Sequence, residues 1–165
     1  MSKIPGLLTS QEVLENIINS TTVALENIQQ HGIDLNLIKV FKLDPTSFGC
    51  VSRTKSTELS NRVEITPNTD GYFELTPGSY DIVFEQGVNV KANNVLFIRQ
   101  RSSLTRNGCT ISSSIYDAGF KTEHLGTVLK VDNPIKIELG ARVGYLYGHH
   151  CESVDNLYNG QFQNK

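Results

Sequence analysis

Short stretches of alternating apolar and polar residues recur along this sequence, with turn residues between them. In such a stretch one set of side chains lies on each face of a strand, so a single face can be buried. Residues 95–98 are instead apolar throughout, which is typical of a strand buried on both faces. Many short strands at regular spacing favour an all-β sandwich or barrel. The other predicted strands are residues 32–37, 72–75, 80–84, 88–90, 135–139 and 143–147.

One segment, residues 9–19, has helical spacing instead. Thr9 is suited to the N-cap, and Glu12, three residues later, completes a capping box. Leu8 and Val13 are placed to form a hydrophobic staple around this cap. The remaining apolar residues of the segment fall on the same helical face. The sequence therefore predicts one short amphipathic helix near the N-terminus, packed against a β domain.

Length and composition limit the class of protein. A chain of 165 residues suits one domain with a real core, and a net charge of −2 argues against a generally basic, nucleic-acid-binding surface. The cysteines, Cys50, Cys109 and Cys151, form no C-x-x-C pair, which argues against a metal knuckle and fits a reducing compartment. No apolar run suits a signal peptide or a membrane span. We therefore expect a cytoplasmic protein that binds neither nucleic acid nor membranes.

The stretch richest in chemical groups begins with a basic, hydroxyl-bearing turn at residues 101–108, RSSLTRNG. Its arginines offer charge-assisted hydrogen bonds and its serines offer short donors, which together suit a triphosphate. An ordinary Ser-rich loop would have the same composition, because Ser and Gly serve turns readily. The groups in question are those of Arg101, Ser102, Ser103 and Arg106.

The same stretch ends in a second turn, DAGF at residues 117–120. Asp117 could accept a proton, and Phe120 offers a flat apolar face. Asp, Ala and Gly also make ordinary turns, so this tripeptide alone carries little information. Another acid, Asp34, lies within an alternating strand, where most acids simply face water. The two turns at this spacing are more specific than either alone.

In order and spacing, these motifs resemble those of the dUTPase/dCTP deaminase superfamily. The resemblance covers nearly the whole chain and includes the N-terminal helix. The matching segments are QQHGIDL at 29–35, LTPG at 75–78, RSSLTRNG at 101–108, DAGF at 117–120, GARVGYL at 140–146 and YNGQFQ at 158–163.

The resemblance implies a distorted β jelly roll with a short N-terminal helix, assembled as a homotrimer with its sites between subunits. It implies one domain over residues 1–151 and a mobile tail over residues 152–165, which closes over the nucleotide from a neighbouring subunit. Mg²⁺ is expected to enter on the triphosphate, so no metal-binding residues are predicted in the protein.

The activity implied by the resemblance is dUTP diphosphatase, which hydrolyses dUTP to dUMP and pyrophosphate. Asp117 would activate the water, Ser102 would contact the phosphates near the scissile bridge, and Asp34 would orient site residues or outer waters of Mg²⁺. Phe120 would pack on the deoxyribose, and backbone groups of a hairpin between Cys109 and Ile115 would read the uracil. The implied substrate-binding residues are Arg101, Ser103, Arg106, Gly108, Ile111, Ser114, Ile115, Gly119, Phe120, Tyr158, Gln161 and Gln163.

A dCTP deaminase, alone or bifunctional with the diphosphatase, is the first alternative. Deaminases of the superfamily use a Glu on the strand after the DAGF-like motif to move protons during attack on the ring. Alignment backward from Asn133 puts Lys130 at that position, and alignment forward from Asp117 puts Thr127 there. Glu123 would reach it only through a local insertion. The sequence therefore favours dUTP hydrolysis.

A second alternative is a degenerate homologue that binds nucleotide without turnover, of viral or regulatory character. Gln161 stands where the family's tail carries a lysine, which removes one cation from the phosphate grip. Tyr145 stands where the family carries a glutamine, and Lys130 is unusual on a strand expected to be partly buried. An activity assay would distinguish this alternative from the first two.

Overall fold

The computed structural model describes residues 6–164, so parts of the predicted domain and tail, residues 1–5 and 165, lie outside the described residues. The described chain is mostly strand, which confirms the all-β expectation. The α-helices are α1 (Ser10–Leu14) and α2 (Ser102–Arg106), and two short 3₁₀ helices span Ser20–Thr22 and Leu25–Asn27. The strands are β1 (Ile17–Ile18), β2 (Ile33–Leu43), β3 (Arg62–Ile65), β4 (Tyr72–Leu75), β5 (Gly78–Phe84), β6 (Gly87–Asn89), β7 (Asn94–Gln100), β8 (Cys109–Ile111), β9 (Ser114–Tyr116), β10 (Lys121–Thr122), β11 (Gly126–Val131), β12 (Ile135–Glu138) and β13 (Arg142–His150).

The main sheet has the order β8-β11-β5-β2-β13-β7-β9, with β3 added beside β2. Its first and last members, β8 and β9, are consecutive in the chain and are joined by residues 112–113. A link of two residues can span at most about 10 Å, so the two ends of the sheet must come together. The sheet is therefore strongly curled. Two smaller sheets, β1-β6-β10 and β12-β4, complete the fold.

This topology corrects the predicted hairpin between Cys109 and Ile115. β8 pairs with β11, and β9 pairs with β7, so the two strands do not pair with each other. At the start of the link, Ser112 N–H donates a hydrogen bond to the carbonyl of Val128 on β11, at 2.8 Å. Each of the two short strands forms its main-chain hydrogen bonds with a longer strand, and not with the other short strand.

The core fills the inside of the curled sheet. Alternate side chains of β2 and β7 are completely buried there, among them Leu35, Leu37, Leu96 and Ile98. Burial of each such side chain stabilises the fold by about 1.5–3 kcal/mol. The opposite faces of β2 and β7 are therefore left to carry the polar and aromatic residues described below.

The N-terminal helix is shorter than the sequence predicts. The capping box between Thr9 and Glu12 is present, but α1 ends at Leu14, and residues 17–18 form β1. Asn16 brings about the change: its side-chain amide donates to the carbonyl of Glu12 at 2.8 Å, and its main-chain carbonyl accepts from Asn89 N–H at 2.8 Å. The two β-branched residues that follow then pair with β6.

The apolar run at residues 95–98 is not buried on both faces within one chain, contrary to the prediction. Leu96 and Ile98 are completely buried, whereas Val95 and Phe97 are only partly buried on the outer face. The described part of the chain therefore covers the apolar residues of that outer face only in part. Both α-helices have five residues, and within residues 6–164 no helix could cross a bilayer.

Candidate functional site

Asp34 and Arg101 meet at one end of the main sheet. Asp34 lies on β2 with 1 % of its surface exposed, and Arg101 directly follows β7. Arg101 Nε lies 3.2 Å from Asp34 Oδ2, and Arg142 Nη1 lies 3.4 Å from the same oxygen. Gln29 Nε2 donates to it as well, at 3.2 Å. One buried carboxylate thus holds two arginines in place.

The electrostatic balance of this cluster is positive. Burial raises the pKa of Asp34, and the positive charges of Arg101 and Arg142 act in the opposite direction. With two guanidinium groups around one carboxylate, the cluster attracts anions. Sequence reasoning did not include Arg142 or Gln29 among the site residues, although both lie in segments that carried the resemblance. Their alignment with family motifs was the signal that could have found them.

A shallow cleft of about 320 Å³ opens beside this cluster. Asp34, Arg101 and Ser102 all line it, so the structure brings these three predicted residues together. Tyr145 forms part of the wall. Polar side chains and the first residue of α2 therefore face a space open to solvent, which suits a charged ligand.

The basic turn of the sequence is in fact the helix α2. Leu104, with 2 % exposed, anchors it in the core, while Ser103 and Arg106 are exposed. Gly108 follows the helix with φ of +69°, and a Cβ there would collide with Asn133. This backbone conformation favours glycine, so the backbone accounts for Gly108 apart from any contact with substrate.

Asp117 lies in a different region, at the end of β9. Its side chain is exposed, and its main-chain carbonyl accepts from Phe120 N–H at 3.0 Å, which closes the turn. Gly119 has φ of +85°, a conformation that favours glycine. The Phe120 ring lies 5.2 Å from the ring of Tyr116 and 5.3 Å from that of Tyr158.

Asp117 and Phe120 line a second cleft, of about 430 Å³. Its other walls are mainly apolar and come from β3, β5, β9, the residues after Phe120 and the C-terminal segment. A carboxylate at the edge of an aromatic and aliphatic cleft suits a ligand with a flat apolar part. The apolar members are Leu59, Val83, Ile115, Tyr116, Leu125 and Phe162, with the ring of Tyr158 beside them.

The predicted base-reading residues have different environments. Ile111 is a core side chain with 5 % exposed, so only its backbone could meet a ligand. Ser114 Oγ lies 3.4 Å from the hydroxyl of Thr127, and Ile115 is 64 % exposed on the outer face. Ile111 lies on β8, whereas Ser114 and Ile115 lie on β9, and the two strands pair with different partners.

Of the positions considered for a deaminase glutamate, Thr127 and Lys130 carry no carboxylate, and Glu123 does not line this cleft. Thr127 donates its hydroxyl to the carbonyl of Ser112 at 2.7 Å, and Lys130 is exposed beside Asp132 at 3.4 Å. Glu123 lines a separate cleft on the side of β1 and β6. Within residues 6–164, no group of three or more His, Cys, Asp or Glu side chains could hold a metal ion.

The C-terminal segment packs against the Asp117 turn of the same chain. Gln163 donates to the carbonyl of Gly119 and accepts from Lys121 N–H, both at 2.9 Å. Gln161 is hydrogen-bonded through both side-chain atoms to the main chain of Thr57. These two glutamines thus contact protein groups, and Tyr158 lies against Phe120.

Arg101 and Asp117 are far apart within one chain. β9 runs antiparallel to β7, with Tyr116 opposite Leu96, so Asp117 lies beside Val95. Arg101, which directly follows β7, is six residues beyond Val95, or about 20 Å away at the rise of a strand. The predicted base and the predicted phosphate-binding residues therefore cannot act on one phosphate within a single protomer.

Both groups nevertheless lie on the outer face of the same sheet. Residues opposite each other in an antiparallel pair project to the same side, which puts Tyr145 beside Asp34 and Tyr147 beside Phe97. Phe97, Tyr145, Tyr147 and His149 form a continuous aromatic ladder, with the Phe97 and Tyr147 rings 5.4 Å apart. The ladder separates the Asp34 end of the face from the Asp117 end.

Comparisons with known proteins agree with this architecture. A family model described as dCTP deaminase-like matches residues 7–147. The probable deoxyuridine 5′-triphosphate nucleotidohydrolase of Halobacterium salinarum is 32 % identical over 151 residues, covering 87 % of each chain. The deoxyuridine 5′-triphosphate nucleotidohydrolase of Methanocaldococcus jannaschii is 31 % identical over 165 residues, covering 98 % of this chain and 99 % of that one.

A solved structure supports the fold. The 2′-deoxycytidine 5′-triphosphate deaminase from Agrobacterium tumefaciens superposes with a TM-score of 0.65 at 14 % identity, over 88 % of this chain. The chain spans about half the length of that protein, 48 %, so the likeness concerns the shared fold alone. On the strength of the family match across residues 7–147 and of relatives above 30 % identity over most of its length, this protein belongs to the dCTP deaminase-like family.

Proposed function

We propose that this protein is a dUTP diphosphatase, which hydrolyses dUTP to dUMP and pyrophosphate. The observation that carries the proposal is the exposed carboxylate of Asp117 beside Phe120, at the edge of an aromatic cleft. The positions considered for a deaminase acid hold Thr127 and Lys130 instead. The relatives named as deoxyuridine triphosphate nucleotidohydrolases support the same substrate.

In this reaction Asp117 accepts a proton from the attacking water. The oxygen of that water forms a bond to the α-phosphorus, the α–β phosphoanhydride bond breaks, and pyrophosphate leaves. A positioned carboxylate base contributes about 10²–10⁴-fold to such a step. Phe120 packs on the deoxyribose, where a 2′-hydroxyl would meet an apolar ring. The aliphatic and aromatic walls of the cleft exclude water around the nucleoside.

The phosphates are held at the other end of the face. Asp34 engages Nε of Arg101, and the carbonyl of Arg142 accepts from its Nη1 at 3.3 Å, so the guanidinium is oriented before substrate arrives. Ser102, at the start of α2, contacts the phosphates near the scissile bridge. Arg142 adds the second positive charge, and Arg106 and Ser103 approach from the exposed side of the helix.

Mg²⁺ is part of the proposal as an ion carried by the substrate. The described residues offer no cluster of three ligands, so the donors that fit it are triphosphate oxygens and water. Bound there, it would neutralise phosphate charge. Asp34, whose Oδ2 is engaged by Arg101 and Arg142, would act on the ion only through an outer water.

A complete site requires two protomers, and we propose that they are neighbours in a homotrimer. The separation of about 20 Å between Asp117 and Arg101 supports this, because a ring of head-to-tail contacts can join opposite ends of one face. The exposed aromatic ladder between those ends is suited to burial against the next protomer. Asp117 of one protomer then meets Arg101 of its neighbour. We also propose that the β domain ends at residue 151 and that a mobile tail begins at residue 152.

The activity test is an assay of the purified protein with dUTP, dCTP and dTTP, followed by chromatography of the products. We expect dUMP and pyrophosphate from dUTP and no ammonia from dCTP. Ammonia released from dCTP, and lost in Glu123→Gln, would instead identify a deaminase. Binding of dUTP by calorimetry with no product from either nucleotide would identify a degenerate homologue.

The shared site has its own test in mixed assemblies. Arg101→Ala and Asp117→Asn should each be nearly inactive alone. When equal amounts are unfolded and refolded together, a site with Asp117 from one chain and Arg101 from the other is intact. Random mixing in a ring then restores about a quarter of the wild-type activity. No restoration, with mixing verified by mass spectrometry, would contradict a site shared between protomers.

A further inference from the structure

We propose that the cavity between β1, β6 and the two 3₁₀ helices binds an aliphatic diamine or polyamine. None of the residues assigned above to dUTP, to Mg²⁺ or to the aromatic ladder lines this cavity. Its walls instead carry carboxylate and amide groups that have no role in the diphosphatase reaction. The inference therefore does not depend on the proposed function.

The cavity is large enough for a small organic molecule. Its volume is about 360 Å³, within the range of about 300–1,000 Å³ that is typical of ligand sites. β1 and the two 3₁₀ helices form one side of it, and β2, the link from β5 to β6 and the residues after β10 form the other. These segments are distant in the sequence, so the cavity is a product of the tertiary structure.

Three glutamates reach this cavity from separate segments. Glu26 lies on the second 3₁₀ helix, Glu85 follows β5, and Glu123 follows β10. Within residues 6–164 none of their carboxylates forms an ion pair, and no lysine or arginine lines the cavity. A cleft lined by charges of one sign concentrates ions of the opposite sign. The cavity therefore favours a cation.

A buried amide points to a ligand that donates hydrogen bonds. Asn27 lines the cavity with 1 % of its surface exposed. Its Nδ2 donates to the carbonyl of Asp34 at 2.8 Å and to Oδ1 of Asn36, so both N–H bonds are directed towards β2. The oxygen of the planar amide is directed away from β2 and has no hydrogen-bond partner within residues 6–164. A buried acceptor without a partner is unfavourable, and an N–H group of a ligand would satisfy it.

The neighbouring polar groups are engaged with each other or are acceptors themselves. Gln86 accepts from Asn36 N–H at 2.9 Å and donates to Asn36 Oδ1 at 2.8 Å. His124 Nδ1 lies 3.2 Å from the carbonyl of Phe84 and 3.1 Å from that of Glu85, so this nitrogen carries a proton. In the neutral ring Nε2 is then a further acceptor, which suits a ligand whose polar groups are donors.

An aliphatic amine with two charges fits these walls better than a metal ion does. Within residues 6–164 no group of three or more His, Cys, Asp or Glu side chains could hold a metal, so the glutamates cannot share one ion. Two ammonium groups joined by an alkyl chain can reach separate carboxylates, and each group offers several N–H donors. Ile17, Ile18 and Val23 supply an apolar wall for the chain between the charges.

Titration calorimetry of the purified protein with 1,4-diaminobutane tests the site without any nucleotide. We expect saturable binding of one diamine per chain. 1-Aminobutane, which has a single charge, should bind about fivefold more weakly, and the uncharged 1,4-butanediol should not bind. Absence of diamine binding, or equal binding of the diol, would overturn the inference. Because no nucleotide is present, either result is independent of the dUTP assay.

Matched substitutions test whether the cavity glutamates hold the amine. Glu85→Gln and Glu123→Gln each remove one charge from the cavity and should raise the dissociation constant of 1,4-diaminobutane about fivefold. Glu64→Gln removes the same charge from the exposed edge strand β3 and should bind as wild type does. Equal affinity in all three variants and wild type would contradict the site. Equal weakening in all three variants would also contradict it, by showing general attraction to a negative protein.

Nuclear magnetic resonance locates the bound amine. The side-chain amide protons of Asn27 should change chemical shift at saturating 1,4-diaminobutane, because Oδ1 gains a hydrogen bond. The side chain of Asn107, which donates to the carbonyl of Ser103 at 2.9 Å, is the control and should keep its chemical shifts. Binding with no change at Asn27 would place the amine elsewhere and overturn the inference.

Discussion

Arg101 Nε lies 3.2 Å from Oδ2 of Asp34, a carboxylate with 1 % of its surface exposed. A buried carboxylate is costly unless it is paired and hydrogen-bonded, and here Arg101, Arg142 and Gln29 all meet the same oxygen. The pair therefore links stability to function. Asp34 is stabilised by its partners, and in return it fixes the arginine proposed to bind phosphate.

Substitution of Asp34 should affect both properties. Asp34→Asn keeps the size of the side chain but removes the charge that holds Arg101 and Arg142, so the free energy of unfolding should fall by about 1–3 kcal/mol. Turnover should fall as well, because the guanidinium loses its orientation. Urea unfolding and steady-state kinetics measure the two effects. Asp44→Asn, at a turn distant from the site, is the control; equal stability and turnover in both variants would contradict the linkage.

Removal of the tail should separate folding from activity. Deletion of residues 156–165 takes away no buried core side chain, so the circular dichroism spectrum and the assembly mass should stay unchanged. Turnover of dUTP should fall severely, because an open site admits water and leaves the triphosphate unrestrained. If the shortened protein turned over dUTP at the wild-type rate, the tail would have no function as a lid.

Tyr116 should give the protein an alkaline limit of stability. Burial raises the pKa of Tyr116 to about 12, partly offset by a hydrogen bond with Ser114. Tyrosine in the unfolded chain ionises near pH 10, so between about pH 10 and 12 the unfolded chain binds fewer protons and the free energy of unfolding falls as pH rises. Tyr116 should lower the free energy of unfolding by at most about 2–3 kcal/mol over this pH range, and the protein should keep its full stability below pH 10.

Urea unfolding between pH 9 and 12 measures this limit for wild type and for Tyr116→Phe. The phenylalanine variant should have a shallower alkaline decline, because it has no phenol to ionise. Identical slopes in wild type and Tyr116→Phe would refute the prediction.

The aromatic ladder should control assembly. Tyr147→Glu places a charge in the middle of the outer face, where the proposed interface would have to bury it at a cost of several kcal/mol. We expect light scattering to give a mass near 18.3 kDa for this variant and a larger mass for wild type. Val63→Glu, on the exposed edge strand β3, is the control and should assemble normally. A wild-type protein of monomer mass would contradict the shared site.

Several features could be predicted from the sequence because local chemistry is enough to specify them. Alternation identified β2 and β5, the Thr9–Glu12 pair identified the helix start, and the glycines at 108 and 119 have the positive φ angles that suit turns. Family motifs implied roles for Asp34, Arg101 and Ser102 in a site that also included Asp117, and the first three residues line one cleft. In each case the decisive information lies within a few residues or a recognisable motif.

Other features depended on contacts between distant parts of the chain. The end of α1 depends on Asn16, whose main-chain carbonyl accepts a hydrogen bond from Asn89. The predicted hairpin does not form because β8 pairs with β11 and β9 pairs with β7. Spacing along the chain also could not show that Arg101 and Asp117, only sixteen positions apart, lie at opposite ends of one face. That separation arises because β9 returns antiparallel along β7, and strand pairing is a property of the tertiary structure.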